Sequence, residues 1–273
     1  MSVITISRQV ASLGTEIARE LAKRLNFEYA DKEMIGKILA DYGLPETEME
    51  KFDEKKPPFW DSLSIQRKNF LHLIQAAIYD LSRTNRVVIV GRGGQVLLQD
   101  LPGTVHVRIF APFGVRVKRL MQSEGGDEKH AARIIRQSDH DSSGYILSLF
   151  NVNWEDPSLY NLIINTQTVS ITTAVELIVE LNQSPEIQEG AEKAAKKLAD
   201  LSLVRKVEAE LLSILGADIR HVDIRADGGS IILKGAVTSL ANKESCERAA
   251  AALEGVKRVE NQLSITPYYR FGP

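Results

Sequence analysis

The chain is short of the features that mark several broad protein classes. It has one cysteine, Cys246, among 273 residues, which excludes an internal disulfide framework and any zinc site built on several cysteines. Cys246 falls in a helical pattern with Ala249, Ala250 and Leu253, so it reads as a small buried apolar residue rather than a reactive thiol. Charge of one sign is not in excess: the formal net charge is -2, and no basic field argues for nucleic acid. No apolar run approaches the ~20 residues that cross a bilayer. The first residues already read as a strand, so no signal peptide is expected and a reducing cytoplasm is the expected compartment. The five histidines show no ligand spacing. His140 between Asp139 and Asp141 is thin ground for a metal site. No Gly-x-Ser-x-Gly or Ser/His/Asp spacing is present.

Hydrophobic residues at 44% and charged residues at 26% are ordinary globular values, and the length suits two domains. From Val3 to Leu181 short apolar strands alternate with amphipathic helices. The strands expected are Val3–Ser7, Phe27–Tyr29, Arg86–Val90, Val105–Phe110 and Leu162–Asn165. The helices expected are near 15–25, 32–41, 62–84, 112–123, 127–138 and 170–182. This alternation implies a parallel sheet covered on both faces, and Val87-Val88-Ile89-Val90 fits a strand buried on both sides. Ligands of such sheets bind beyond the carboxyl ends of the strands, where Ser7, Gly91 and Arg92 fall. Segment 43–60 has no period and reads as a loop. Its Pro57-Pro58-Phe59-Trp60 is an apolar patch, either packed on its own domain or offered to a partner.

The first turn is the most informative stretch. Val3, Ile4 and Ile6 lead through Ser7-Arg8-Gln9-Val10-Ala11-Ser12-Leu13-Gly14-Thr15 into a helix pattern of Ile17, Leu21 and Leu25. Strand, small-residue loop and helix N-terminus make the architecture of a phosphate-binding loop. In the Gly-x-x-x-x-Gly-Lys-[Ser/Thr] register Thr15 takes the hydroxyl slot, Gly14 the lysine slot, Leu13 a glycine slot and Arg8 the first glycine slot. Shifting by one residue puts Gly14 on the second glycine and Thr15 on the lysine. Either way the lysine is missing. Arg8 is the nearby cation, and a Leu13→Gly, Gly14→Lys double change is expected to raise nucleotide affinity.

Beyond Ser184-Pro185 the sequence changes character. Glu186–Asp200, rich in Ala, Glu and Lys, reads as a helical polar linker. Leu203, Val207, Leu211, Leu212 and Leu215 form one helix face. Val222, Ile224, Ile231 and Leu233 flank Asp227-Gly228-Gly229 as a hairpin. A helix over 240–253 and a strand holding Val259, Leu263 and Ile265 complete an αββαβ module. The domains expected are 1–183, a linker 184–199, and 200–267.

Residues 1 to about 183 resemble the cytidylate kinase-like family, relatives of nucleoside monophosphate kinases. The resemblance runs through Ile4-Thr5-Ile6-Ser7-Arg8, Ala30-Asp31-Lys32-Glu33-Met34-Ile35 and Val88-Ile89-Val90-Gly91-Arg92-Gly93. It continues through Val107-Arg108-Ile109-Phe110-Ala111-Pro112 with Arg116, then Asp156-Pro157, Tyr160 and Asn165-Thr166. Residues 200 to 266 resemble a BON domain, through Ile231-Ile232-Leu233-Lys234-Gly235-Ala236-Val237 and Gly255-Val256-Lys257-Arg258-Val259-Glu260-Asn261-Gln262-Leu263.

The first resemblance implies a P-loop NTPase-like fold, ATP and Mg2+ as cofactors, and a nucleoside monophosphate as acceptor. Ser12, Gly14 and Thr15 would hold ATP, with Thr15 on the metal. Arg8, Arg92 and Arg116 would serve the transferred phosphate, and Asp31, Arg92 and Gly93 the acceptor. Asp31 reads equally as a helix N-cap, and Arg116 equally as an adenine-stacking or a surface residue. The second resemblance implies a module that docks to a partner protein or phospholipid. Two departures stand out: the loop lacks the family's arginine in place of lysine, and Ser142 replaces an arginine of the lid pattern Asp-Lys-x-Arg, a residue that stabilises transition-state charge. Two functions therefore stand side by side. One is an ATP-dependent nucleotide kinase; the other is an inactive kinase-like scaffold or nucleotide sensor acting through the BON-like module.

Overall fold

A computed structural model describes residues 2–45 and 65–266. Segment 43–60 is therefore seen only as far as Pro45, and the apolar patch at Trp60 lies outside the described residues. Two compact units emerge: one formed by 1–59 with 84–195, the other by 60–83 with 196–273.

In the first unit five strands form one sheet: β1 (Val3–Arg8), β2 (Glu28–Ala30), β3 (Val87–Val90), β4 (Thr104–Phe110) and β5 (Leu162–Asn165). Their order is β2-β3-β1-β4-β5, and every pairing is parallel. Parallel neighbours need crossovers, and the helices that make them cover the sheet. The unit's helices are α1 (Gly14–Leu25), α2 (Lys32–Asp41), the short α4 (Gly94–Leu97), α5 (Phe113–Glu124), α6 (Glu128–Phe150) and, after the last strand, α7 (Ile171–Gln183). Of the helix expected over 62–84, the start at 62–64 lies outside the described residues. The strands and helices expected in this unit are present to within a residue or two, with one exception. The helix expected over 127–138 runs on to Phe150, because nothing between Ser138 and Leu149 breaks the helical period.

Central β1 is buried along Val3–Ser7, and Ile4 and Ile6 pack with Ile17, Leu21, Val88, Val107, Val175 and Ile178. Burying a side chain of this size is worth roughly 1.5–3 kcal/mol, so this cluster anchors the strand whose end carries the loop. One polar pair lies on the opposite face of the same two strands, at paired positions: Thr5 Oγ1 lies 2.8 Å from His106 Nδ1. Burial pushes the His106 imidazole down to about 4 from its ordinary 6.5, against a hydrogen bond with Leu98 that works the other way. The ring is neutral at pH 7.

The stretch read as a linker is not separate from its surroundings. A single helix, α8, runs Pro185–Leu215, and its first turns pack on the first unit. A Cβ on Gly103 would lie 1.9 Å from the Ala191 nitrogen, and one on Gly190 would lie 2.4 Å from the Gly103 nitrogen. Asn85 Nδ2 donates to the Ala191 carbonyl at 3.2 Å, and Ala191 and Ala194 are buried.

The second unit holds α3 (Ile65–Ser82), the rest of α8, β6 (Val222–Asp227), β7 (Ser230–Val237), α9 (Leu240–Ala252) and β8 (Arg258–Ile265). Strand β7 is central, antiparallel to β6 and parallel to β8. Leu203, Val207, Leu211, Ile231, Leu233, Cys246 and Leu263 form its core. Cys246 is fully buried, and burial pushes its thiol pKa up, the state of an inert thiol.

Candidate functional site

Strand β1 delivers Ser7 and Arg8 to the carboxyl edge of the sheet, the chain turns through Gln9–Leu13, and α1 begins at Gly14. The Ser12 hydroxyl folds back inside the turn. It donates to the Gln9 carbonyl at 2.7 Å and lies 3.2 Å from that of Ile109. Two carbonyls of the turn are drawn away from the helix entrance: Arg119 Nη1 reaches Ala11 O at 3.4 Å, and Thr166 Oγ1 donates to Ser12 O at 2.8 Å. Arg119 also donates to Thr166 itself, at 3.0 and 2.6 Å. The residue preceding α1, Leu13, supplies no side-chain cap. By contrast, α2, α6 and α7 are capped by Asp31, Asp127 and Ser170. The first N–H groups of α1 are thus left for an external acceptor.

The backbone keeps the shape of a glycine-rich loop although the glycines are gone. Ala11 and Leu13 have φ of 57° and 64°, a left-handed conformation that costs a residue with a Cβ roughly 1–2 kcal/mol. Leu13 is the residue that the first register puts in a glycine slot. The same register explains the missing lysine in steric terms. A Cβ on Gly14 would lie 2.4 Å from Arg8 Cβ. Arg8, in the first glycine slot, fills the space into which a lysine at 14 would leave the helix. Bulk and cation have changed places, and the expected Leu13→Gly, Gly14→Lys change needs correction: with Arg8 present, the lysine has no room.

A second loop follows β3. Gly91, Arg92 and Gly93 have φ of 76°, 55° and 72°, and a Cβ on Gly93 would lie 2.3 Å from the Phe150 ring. Arg92 is buried, with its guanidinium 5.9 Å from the centre of the Tyr145 ring.

Helix α6 closes the crevice with one stripe of side chains. Ser138, Asp141 and Ser142 line a cavity of about 250 Å³ over residues 8–16. Ser142, Tyr145 and Ile146 line a small cavity of about 20 Å³ with Ser7, Arg8, Gly91, Arg92, Gly93, Gln95 and Trp154. The spacing is that of one helix face. Its rotation is fixed by Arg116, which grips Asp139 with both terminal nitrogens at 3.0 and 2.7 Å and donates to Ala111 O at 3.1 Å.

Trp154 walls the small cavity, and its Nε1–H donates to Ser7 Oγ at 2.7 Å. Arg108, beside Ser7 in the sheet register, stacks 4.3 Å from the Trp154 ring and donates to the Trp154 carbonyl at 2.8 Å. Tyr160 OH donates to that carbonyl at 2.7 Å.

Of the residues singled out in the sequence, Arg8, Ser12, Gly14, Thr15, Arg92 and Gly93 meet in this crevice. Asp31 instead caps α2, accepting from the Glu33 and Met34 amides at 3.0 and 3.2 Å, and lines neither cavity. Arg116 is buried against Asp139. The crevice also takes in Trp154 and Arg119, for which the sequence held no signal, and two residues it showed in other settings: Arg108 in the stretch of family resemblance and Asp141 beside His140. The stripe 138, 141, 142, 145, 146 was visible as a helical period, had the helix been carried past Ser138.

A parallel sheet of order 2-3-1-4-5, with a strand–loop–helix at its centre and an arginine-bearing crevice at the carboxyl edge, defines a P-loop kinase-type protein. The cytidylate kinase-like family model matches residues 3–168, and the BON domain model matches residues 199–267. The chain belongs to the cytidylate kinase-like family and carries a BON domain after it. Among curated relatives, a cytidylate kinase of Thermococcus kodakarensis is 31% identical over 167 residues, 60% of this chain and 79% of that protein. A cytidylate kinase of Pyrobaculum islandicum is 24% identical over 184 residues, 66% of this chain and 92% of that protein. An uncharacterized protein of Eubacterium ventriosum shares the fold in a crystal structure, with a TM-score of 0.52 at 23% identity over 67% of this chain and 99% of that chain.

Proposed function

We propose that the first unit binds a nucleoside triphosphate over residues 8–16 and transfers a phosphoryl group to an acceptor whose phosphate enters beside Arg92, where the adjoining cavity of about 20 Å³ is of water size and must widen to admit it. One observation carries this reading: Arg8 and Ser142 line both cavities, so two phosphorylated ligands would meet at a shared cationic side chain. The N–H groups opening α1 would hold the donor phosphates. Arg8 would carry the charge role of the absent lysine, and Arg92 would orient the acceptor phosphate. Trp154 and Tyr145 exclude water from the meeting point. A cytidine monophosphate acceptor is suggested by the relatives named cytidylate kinase.

The residues fit ATP and Mg2+. The cavity is of phosphate-chain size, and the Thr15 hydroxyl and Asp141 carboxylate on its wall are the hard oxygen donors magnesium prefers. The metal, when bound, neutralises charge that develops on the phosphate oxygens. The chain's own residues position and shield.

A second reading is favoured by the wall of the larger cavity, which among the described residues bears one cationic side chain, Arg8, against two carboxylates, Glu16 and Asp141. With Ser142 where the family's arginine would sit, the unit then binds nucleotide without turning it over. The BON domain is proposed to dock to a partner protein or phospholipid in either case, with the cytoplasm as the site of action. No helix among the described residues is long and apolar enough to cross a membrane.

Isothermal titration with ATP plus magnesium, then with CMP, tests the reading, followed by an assay of ADP release. Binding of both with release supports transfer; binding of both without release supports the sensor. No heat from either ligand refutes both.

A further inference from the structure

Asp141 stands where a nucleotide kinase has little use for a negative charge. It is 4% exposed, and it faces the larger cavity together with Thr15 and Glu16. Two constraints hold it there. Gln137 Nε2 donates to its Oδ1 at 2.7 Å, which fixes the carboxylate. The Arg116–Asp139 pair fixes the helix, and two residues onward the α-helix has turned by ~200°, carrying Asp141 from the α5 side to the loop side. A carboxylate this buried is poorly screened, and among the described residues Arg8 is the one cationic side chain that shares that wall with it and Glu16. A bare polyphosphate entering here meets like charge.

We propose that Asp141 makes nucleotide binding at this loop dependent on a divalent cation, as the protein carboxylate that holds the metal against the phosphates. This rests on the nucleotide reading above. Magnesium is commonly held by one or two carboxylates together with substrate phosphates. Among the described residues no group of three His, Cys, Asp or Glu side chains can hold a metal ion. Phosphate oxygens and water would then complete the coordination sphere, so metal and nucleotide enter together. The same carboxylate that rejects the free nucleotide selects its metal complex.

The test is titration of the full-length protein and of Asp141→Asn with ATP in excess magnesium and with ATP in EDTA. Asparagine keeps an Oδ1 acceptor for Gln137, and unchanged melting without ligand checks the fold. In the wild-type protein metal-free ATP binds at least ~30-fold more weakly than its magnesium complex, and Asp141→Asn narrows that gap by about tenfold, chiefly through tighter metal-free binding. A merely structural role for Asp141 would move both affinities together. A gap that is absent in the wild type, or unchanged in Asp141→Asn, overturns the assignment while leaving nucleotide binding intact. Metal-free binding gained by Asp141→Asn alone supports it. If neither protein binds ATP in either form, the nucleotide reading falls and the assignment falls with it.

Discussion

Replacing Gly14 by alanine tests whether Arg8 and residue 14 compete for one space. The added methyl would lie 2.4 Å from Arg8 Cβ, 3.0 Å from Arg8 Cγ and 3.2 Å from Ile109 Cβ. The first atom belongs to a stem near the backbone of β1, so it cannot swing aside as a side-chain tip does. Overpacking of this kind costs typically 1–3 kcal/mol, while the better helix propensity of alanine returns up to ~1 kcal/mol. Gly14→Ala is therefore expected to destabilise the first unit by about 1–2 kcal/mol. In Arg8→Gly the obstacle is gone, and Gly14→Ala becomes neutral or stabilising. The double-mutant cycle should return a coupling of at least ~1 kcal/mol. Two units need not unfold together, so the measurement is denaturant-dependent amide exchange at β1 and α1 rather than a single bulk transition. A neutral Gly14→Ala, or a cost undiminished by Arg8→Gly, refutes the steric exchange. The cycle also has a functional arm: Arg8→Gly with Gly14→Lys returns glycine and lysine to their slots and should bind magnesium–ATP more tightly than either single change.

Other outcomes follow from particular contacts. His106 is held neutral, with its pKa lowered from 6.5 to about 4, so unfolded chains take up its proton first. Its contribution is fully present above pH 6.5 and is lost as pH falls toward 4. Between pH 7.5 and 5 it removes about 2 kcal/mol of stability, and denaturant melts of His106→Gln should lack that part of the acid sensitivity. Asp139→Ala leaves Arg116, whose side chain is 4% exposed, buried and unopposed. A loss of about 2–4 kcal/mol is expected, larger than for Arg116→Met, and thermal melts that reverse this order would contradict the pairing. Trp154→Phe removes the donor to Ser7 and should cost roughly 1–2 kcal/mol while weakening CMP more than ATP. Equal weakening of both ligands would place Trp154 outside the acceptor side.

Much of the fold was legible because it rests on period and burial. The apolar run Val87–Val90 could only be a central strand, and Leu203, Val207, Leu211 and Leu215 could only be one helix face. The site was legible in part. Loop residues declare themselves by their neighbours in sequence, so Arg8, Thr15 and Arg92 could be expected at the crevice they line. Trp154, Arg108 and Arg119 act through partners 46 to 147 residues away, and no local pattern carries that information. Asp31 is a residue type suited to two roles that do not exclude each other, and the structure shows the cap: its Oδ1 accepts from the Glu33 and Met34 amides. Glu186–Asp200 looked like a tether because its surface is polar. Its docking depends on Gly190, a residue whose message is the lack of a side chain.

That glycine has a consequence for how the chain can vary. A Cβ on Gly103 would meet the backbone of Gly190 and Ala191, and one on Gly190 the backbone of Gly103, so neither tolerates a change while the backbones stay in register. Drift at one position is blocked by the other, and no single step leads away from the pair. Related chains that keep this helix against this turn should hold both glycines, and chains that lose one should lose the helix or reshape the turn. The two positions form one inherited character, 87 residues apart, written in the smallest letter of the alphabet.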